Sequence, residues 1–378
     1  MKVADLVTAM KRLAPLEYAE SWDKVGLLVG AADRELRGPV LLTIDLSEAV
    51  IDEADRVKAG AVIAYHPPIW EPLARVTDAT PRQRVVMCAL ERGLAVYSPH
   101  TALDAVPGGV TDWLCEGLSG GSNGRILGDV RALRSHAERS PTREVKIVTF
   151  VPRAELDRVR DALASAGAGI IGQYVRCSFA TPGQGSFVPG EGTNPQVGVP
   201  GRLERVDEMR LEMVCSRAAL PLAIETMRRF HPYEEPAIDI VELQPIPRRS
   251  AGSGRRLVLD KPATARELAE RLKAWVGRNR ASFATAGRED VPVTRVGVVP
   301  GSGEGLSRLA HDEGCEVFVT GEMKHHEVLG ALNAGMGIVL GGHTATERGY
   351  LPRLRDRLAK EGVEALVSQA DREPLVTI

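Results

Sequence analysis

Cysteine is scarce in this chain and badly placed for covalent or metal-linked architecture. The five residues, Cys88, Cys115, Cys177, Cys215 and Cys315, form no CxxC pair. That argues against a disulfide framework and leaves buried free thiols as the expectation. Long apolar runs are also missing: none approaches the roughly 20 residues needed to span a bilayer. The opening residues Met1-Lys2-Val3-Ala4-Asp5-Leu6 lack the apolar core of a secretion signal. The expected compartment is the cytoplasm, with no membrane partner. Neither sign of charge is in excess, since 48 Lys plus Arg stand against 50 Asp plus Glu for a net charge of -2. Such a balance provides no electrostatic footprint for nucleic acid and argues against that class of partner.

What is present is enough apolar material for more than one core. A chain of 378 residues with 44% hydrophobic content suggests two or three domains. The first ~130 residues alternate between helix-like and strand-like segments. Val3 to Leu13 and Glu48 to Lys58 have helical periodicity, whereas Val40 to Ile44, Ala61 to Ala64 and Leu94 to Tyr97 are apolar runs. Nearly all-apolar strands alternating with helices argue for a mixed α/β sheet covered on both faces. In such sheets chemistry collects at the carboxyl ends of the strands. Asp45, Tyr65-His66 and His100 each fall just after an apolar run.

A different unit begins near residue 140. Strand Glu144 to Val151, helix Ala154 to Ala166, strand region Gly169 to Phe187, strand Arg210 to Cys215, helix Leu220 to Phe230 and strand Ala237 to Leu243 follow the βαββαβ order of a ferredoxin-like fold. The stretch Gln244 to Arg256, rich in Pro, Ser, Gly and Arg, reads as a linker. Afterwards the α/β pattern resumes and closes on a helix expected over Ala345 to Glu361. The expected architecture is a mixed-sheet α/β core, residues 1–138 and 248–378, split by an inserted ferredoxin-like α+β domain at 139–247.

Two of the eight histidines have a carboxylate four residues downstream, His100 with Asp104 and His343 with Glu347. Residues i and i+4 share a helix face, so nitrogen and oxygen donors can converge on one cation. For His100 and Asp104 a plain helix start, with Asp near the positive end of the dipole, explains the spacing equally well. His66, at a strand end before Pro67-Pro68, reads alone as a packing or capping histidine. Together, three strand ends presenting imidazoles, two with carboxylates, suit Zn, Fe, Mn or Co better than Ca or Mg. With no thiolate nearby, an open, water-bearing site is favoured over a structural one. His325-His326 point about 100° apart on a helix and suit a cavity wall or an interface better than a shared ion. Gly301-Ser302-Gly303-Glu304-Gly305 resembles a phosphate-cradling turn, which alone is weak support for nucleotide binding.

The segments Ser21-Trp22-Asp23-Lys24-Val25-Gly26-Leu27-Leu28-Val29-Gly30, His66-Pro67, His100-Thr101-Ala102-Leu103-Asp104, Thr320-Gly321-Glu322-Met323-Lys324-His325-His326 and Gly342-His343 with Glu347 resemble the Nif-three-like dinuclear metal centre family. Members carry the name GTP cyclohydrolase I type 2. The middle unit resembles that family's optional inserted domain through Gly183-Gln184-Gly185-Ser186-Phe187 and His231-Pro232-Tyr233-Glu234-Glu235-Pro236. The resemblance implies a toroidal homo-hexamer and one or two divalent transition metal ions. It makes His66 and Asp104 ligands of one metal and His343 a ligand of the other, with Glu347 bridging. This chain departs from the pattern at Tyr65, where the family has a second histidine. A phenol with an ordinary pKa near ~10 is a poor ligand for a divalent ion, so one well-held and one weak or absent metal is the expectation.

For function, the resemblance implies a metal-dependent hydrolase using a metal-bound water on a nucleotide or other heterocyclic substrate. His100 and Asp23 are then candidates for a proton shuttle or for groups that orient a ligand. The alternative is a non-catalytic metal-binding scaffold, chaperone or regulator, which the loss of a histidine at 65 favours slightly.

Overall fold

The computed structural model describes residues 1–138 and 140–374. The expected start of the insertion at 139 and the last residues of the core, 375–378, lie outside the described residues. The chain divides into two compact units, one formed by Met1–His136 with Arg248–Ile378 and the other by Ala137–Pro247.

The first unit contains two mixed sheets. One has the strand order Gly26–Val29, Ala95–Ser98, Ala61–Ala64, Val40–Thr43, Ala365–Val367. All its neighbours are parallel except Gly26–Val29, which runs antiparallel to Ala95–Ser98. The other has the order Ser282–Ala284, Gly337–Leu340, Val317–Thr320, Val293–Val298, Ile246–Ala263, Gly128–Glu138. Its central strands Val293–Val298, Val317–Thr320 and Gly337–Leu340 are mutually parallel. Alternation along each strand feeds two different cores. Val40, Leu42, Ile63 and Tyr97 of the first sheet share one buried cluster with Val296, Val298, Val319 and Val339 of the second. Leu41, Val62 and Val96 turn the other way, onto Val50, Ile51, Val85 and Val86 of the helices Glu48–Arg56 and Pro81–Glu91. Phe318 and Ile338 do likewise in the second sheet, onto Leu306, Ala310 and Ala331. The central strands of both sheets are therefore buried on both faces, which is why they read as continuous apolar runs.

Local chemistry sets where the helices begin. Thr264 and Glu267 form a reciprocal capping box at the start of Ala265–Trp275. Thr80 accepts from the amide of Gln83 at the start of Pro81–Glu91, with proline in the first turn.

Three expectations from the sequence are corrected. The supposed linker Gln244 to Arg256 is mostly strand, because Ile246–Ala263 runs unbroken for 18 residues as the neighbour of Gly128–Glu138. Its linker-like composition hides an alternation that buries Ala251, Arg255, Leu257 and Leu259. Arg255, only 1% exposed, donates to the carboxylate of Asp112 at 2.6 Å and to the carbonyls of Gly252, Gly254, Ala105 and Val106. With every donor of its fork engaged, the charge is tolerated inside. Second, the expected helix Ala345 to Glu361 breaks into Ala345–Arg348 and Leu351–Lys360. At the break, Gly349 lies so close to Trp113 that a Cβ would stand 2.5 Å from the indole. Third, of the strand region Gly169 to Phe187 only Phe179–Phe187 is strand. The cysteines are free, with Cys115, Cys215 and Cys315 buried but Cys88 and Cys177 only half-buried.

The second unit has the element order strand Val145–Pro152, helix Leu156–Ser165, strands Phe179–Phe187 and Glu204–Cys215, helix Leu220–Phe230, strand Ile238–Glu242. Its sheet is antiparallel throughout, in the order Phe179–Phe187, Glu204–Cys215, Val145–Pro152, Ile238–Glu242. His231 caps the second helix as a structural residue, with Nδ1 accepting from the amide of Tyr233 and Nε2 near the carbonyl of Phe150.

Candidate metal centre

The two sheets of the first unit bring the carboxyl ends of their parallel strands to one place. Asp45 follows Val40–Thr43, Tyr65 and His66 follow Ala61–Ala64, and His100 follows Ala95–Ser98. From the second sheet, Gly301 follows Val293–Val298, Glu322 follows Val317–Thr320, and His343 follows Gly337–Leu340. Tyr65 and His66 continue the strand, their amides donating to the carbonyls of Thr43 and Ile44 at 2.9 and 3.0 Å. That pairing fixes which way each side chain points.

His66, His343 and Glu347 each offer a ligand atom, and these atoms lie within 4.8 Å of one another. The Nε2 atom of His66 stands 3.4 Å from Oε2 of Glu347, and Nε2 of His343 stands 3.4 Å from Oε1. An edge of about 3.4 Å is what two ligands make around an ion with tetrahedral bonds of about 2.1 Å. Glu347 is buried and its Oε2 has no aligned hydrogen-bond donor. An anionic oxygen left this way inside a protein calls for a cation or a proton. These three residues thus fit a divalent transition metal ion.

The far side of each imidazole is anchored. Nδ1 of His66 donates to Asp45 at 2.9 Å, and Nδ1 of His343 donates to Glu322 at 2.9 Å. Carboxylates bonded to Nδ1 select the tautomer whose Nε2 lone pair faces inward. Sequence reasoning assigned no role to Asp45 or Glu322. The available signals were position, since both follow a strand as the histidines do, and for Glu322 its place in the segment Thr320-Gly321-Glu322.

The other sequence candidates have different partners. Tyr65 donates its phenol proton to Oδ1 of Asp104 at 2.6 Å; Tyr65 is buried and Asp104 half-buried at the cavity wall. Burial, reinforced by the charge of Asp104, raises the Tyr65 phenol well above its ordinary range. Burial also pushes Asp104 up to about 7, against the hydrogen bond from Tyr65. His100 and Asp104, four residues apart on the helix His100–Ala105, therefore do not converge: His100 donates from Nδ1 to Asp23 at 2.8 Å instead. Asp23 also accepts from the amide and hydroxyl of Thr101. Burial opposes its charge, but these hydrogen bonds hold it below the usual carboxylate range. His100 has φ +31, a conformation rare outside glycine, and strain of that kind gathers at functional sites. His325 and His326 begin an exposed helix and take no part in the cluster.

Glycine is required beside the ligands. Gly301 has φ +60, and a Cβ there would sit 2.4 Å from Oε1 of Glu347 and 3.2 Å from Nε2 of His343. Gly301→Ala is expected to weaken metal uptake about tenfold or more, by backbone strain of roughly 1–2 kcal/mol and by displacing a ligand oxygen. Competition against a chromogenic chelator measures it. Unchanged affinity would mean the ion does not use this oxygen.

The metal-free cluster is a proton trap. Burial disfavours charge on His66, yet the carboxylates of Asp45 and Glu347 outweigh it and raise the imidazole from 6.5 to about 10. A raised pKa stabilises the fold fully below about 6.5, and that stability is lost as pH climbs through about 10. Asp104, raised from 3.8 to about 7, acts in the same direction at lower pH. The metal-free protein should therefore melt at progressively lower temperature between pH 6.5 and 10. Metal uptake at pH 8 should release about one proton, readable by calorimetry in buffers of different ionisation enthalpy. Uptake without proton release would contradict the assignment of His66.

The ligand atoms line a cavity of about 600 Å³ whose wall includes Trp22, Trp70, His100, Arg134, Ser253 and the turn Gly301-Ser302-Gly303. Among the described residues no helix is long and apolar enough to cross a membrane.

Fold and site together define an α/β protein with a candidate metal centre between two mixed sheets. Comparison with known proteins supplies its family. The model for Duf34/NIF3 (NGG1p interacting factor 3) matches residues 1–374. The chain is 34% identical over 374 residues to the GTP cyclohydrolase 1 type 2 homolog of Bacillus subtilis, covering 98% of this chain and 96% of that one. It is 32% identical to NIF3-like protein 1 of Bos taurus, covering 100% and 93%. Among solved structures, a Bacillus cereus protein related to NIF3 aligns with TM-score 0.63 at 31% identity, covering 100% of this chain and 99% of that one. A Staphylococcus aureus protein aligns with TM-score 0.75 at 25% identity and the same coverage. The chain belongs to the Duf34/NIF3 family.

Proposed function

We propose that the protein is a metal-dependent hydrolase of the GTP cyclohydrolase I type 2 kind, acting on a nucleotide or another heterocycle. The observation that carries this reading is the convergence of two anchored imidazoles and a buried carboxylate at the wall of a ligand-sized cavity. The name of the Bacillus subtilis relative agrees with it. His66, His343 and Glu347 hold one Zn, Fe, Mn or Co ion, and a second ion binds weakly or not at all because Tyr65 occupies Asp104. A divalent ion in such a site can bring the pKa of a bound water to about 7 and polarise a substrate carbonyl, imine or phosphoryl group.

The protein's own residues do the rest. Asp45 and Glu322 keep the two Nε2 atoms turned inward. Asp23 holds the Nδ1 proton of His100, leaving the opposite ring nitrogen as the atom that accepts and passes a proton in the cavity. The Tyr65 phenol keeps its proton and satisfies the half-buried Asp104.

The second reading, a non-catalytic metal-binding scaffold, chaperone or regulator, is favoured by that same Tyr65–Asp104 bond, which removes a carboxylate from the ligand set. Metal-loaded protein incubated with GTP, phosphoesters and cyclic amides separates the two, with His343→Ala as control. Turnover that His343→Ala abolishes supports the hydrolase, and identical traces for both proteins count against it. The proposal includes a cytoplasmic toroidal hexamer, which sedimentation equilibrium tests. It also treats 139–247 as an inserted ferredoxin-like domain between core segments 1–138 and 248–378. The element order and antiparallel sheet of that unit support this.

A further inference from the structure

Two tryptophans at the mouth of the cavity have no part in the metal cluster. Trp22 is 53% and Trp70 is 41% exposed, an unusual state for the largest apolar side chain. Their ring centroids lie 5.7 Å apart with planes tilted by 57°, so neither ring covers the face of the other. Each meets His100 edge to face, at 6.2 and 5.7 Å. His100 in turn lies 5.5 Å from His66. One imidazole therefore separates the indoles from the candidate ligands. Around the same cavity stand hydroxyls of Thr101, Ser253 and Ser302 and the carboxylate of Glu20.

An indole face left open beside a reactive centre gains most from a flat partner. Stacking on it is strong and tolerant of ring identity, while a few polar groups at the rim choose among rings that carry N–H and C=O. We propose that Trp22 and Trp70 bind the planar ring of a nitrogen heterocycle of nucleobase size and hold its edge past His100 towards His66, His343 and Glu347. This deepens the hydrolase reading and rests on it for the choice of cavity. Both tryptophans are binding residues that position the ring without entering the chemistry.

The test titrates full-length zinc-loaded protein with GTP, ATP and UTP, and with inorganic triphosphate as a ringless control. Wild type, Trp22→Leu, Trp70→Leu and Trp22→Phe are compared, and zinc content is measured on the same samples. At least one nucleotide should bind wild type about fivefold or more tightly than triphosphate. Each leucine variant should weaken that nucleotide about five- to fiftyfold, and Trp22→Phe, which keeps a ring face, should retain most of the affinity. Triphosphate binding and zinc content should not change. The proposal is overturned if no nucleotide binds, if nucleotides bind no better than triphosphate, or if the leucine variants keep wild-type affinity. Nucleotide binding that depends on the tryptophans in a protein taking up no zinc would overturn the metal reading and leave the ring site standing. Zinc uptake without such dependence would do the reverse.

Discussion

Glu347→Ala should abolish stoichiometric metal binding while leaving the fold intact. The carboxylate faces both imidazoles, with Oε2 towards His66 and Oε1 towards His343. Structural zinc sites with four ligands are worth about 10–16 kcal/mol, or roughly 3 kcal/mol per ligand. Losing one ligand therefore costs about a hundredfold in affinity, and more when that ligand spans two partners. The alanine also removes one of the two carboxylates that hold the proton on His66, so the melting temperature of the metal-free variant should fall less between pH 6.5 and 10 than that of metal-free wild type. Elemental analysis after gel filtration, paired with thermal denaturation, reads both effects. A variant retaining one equivalent of metal per chain would dismiss Glu347 as a ligand.

Tyr65→His should raise the metal content from one ion per chain to two. In the wild type the phenol claims Oδ1 of Asp104 at 2.6 Å and fills the space beside the rings of His66 and His100, at 5.1 and 5.6 Å. An imidazole brings a neutral nitrogen donor and frees the carboxylate, completing a second set with Asp104 and Glu347. Tyr65→Phe is the informative contrast. It frees Asp104 without supplying nitrogen, removes one hydrogen bond from a half-buried carboxyl at a cost of about 1 kcal/mol, and should keep one ion. Two retained ions in the wild type would remove the premise, and one in Tyr65→His would show that the pocket has closed around the phenol.

Much of this site could be read from the chain because the strands that build it are buried on both faces. Such strands are continuous apolar runs, and the polar residue just after each run is conspicuous. Asp45, His66, His100 and His343 were visible in this way. Pairing was another matter. The His100 and Asp104 spacing suggested a shared ion, yet the helix turns Asp104 onto Tyr65 and His100 onto Asp23. Glu322 also follows an apolar run, but its pairing with His343 became visible only when the strand Val317–Thr320 was seated beside Gly337–Leu340 in the second sheet. The strand Ile246–Ala263 was hidden because arginine, serine and glycine dominate its first half. Its burial depends on partners more than a hundred residues away, such as Asp112.

The sequence by itself determined which donors are available: imidazoles and carboxylates at strand ends, no thiolate beside them, and a tyrosine at position 65. Those are properties of residue type and local periodicity, which survive without knowledge of packing. Tertiary structure alone decided which donors meet. Two sheets, each built from strands on both sides of the 137–247 unit in the sequence, share one buried core. The meeting of their strand ends sets His66 against His343 across Glu347 and leaves Asp104 with the phenol of Tyr65.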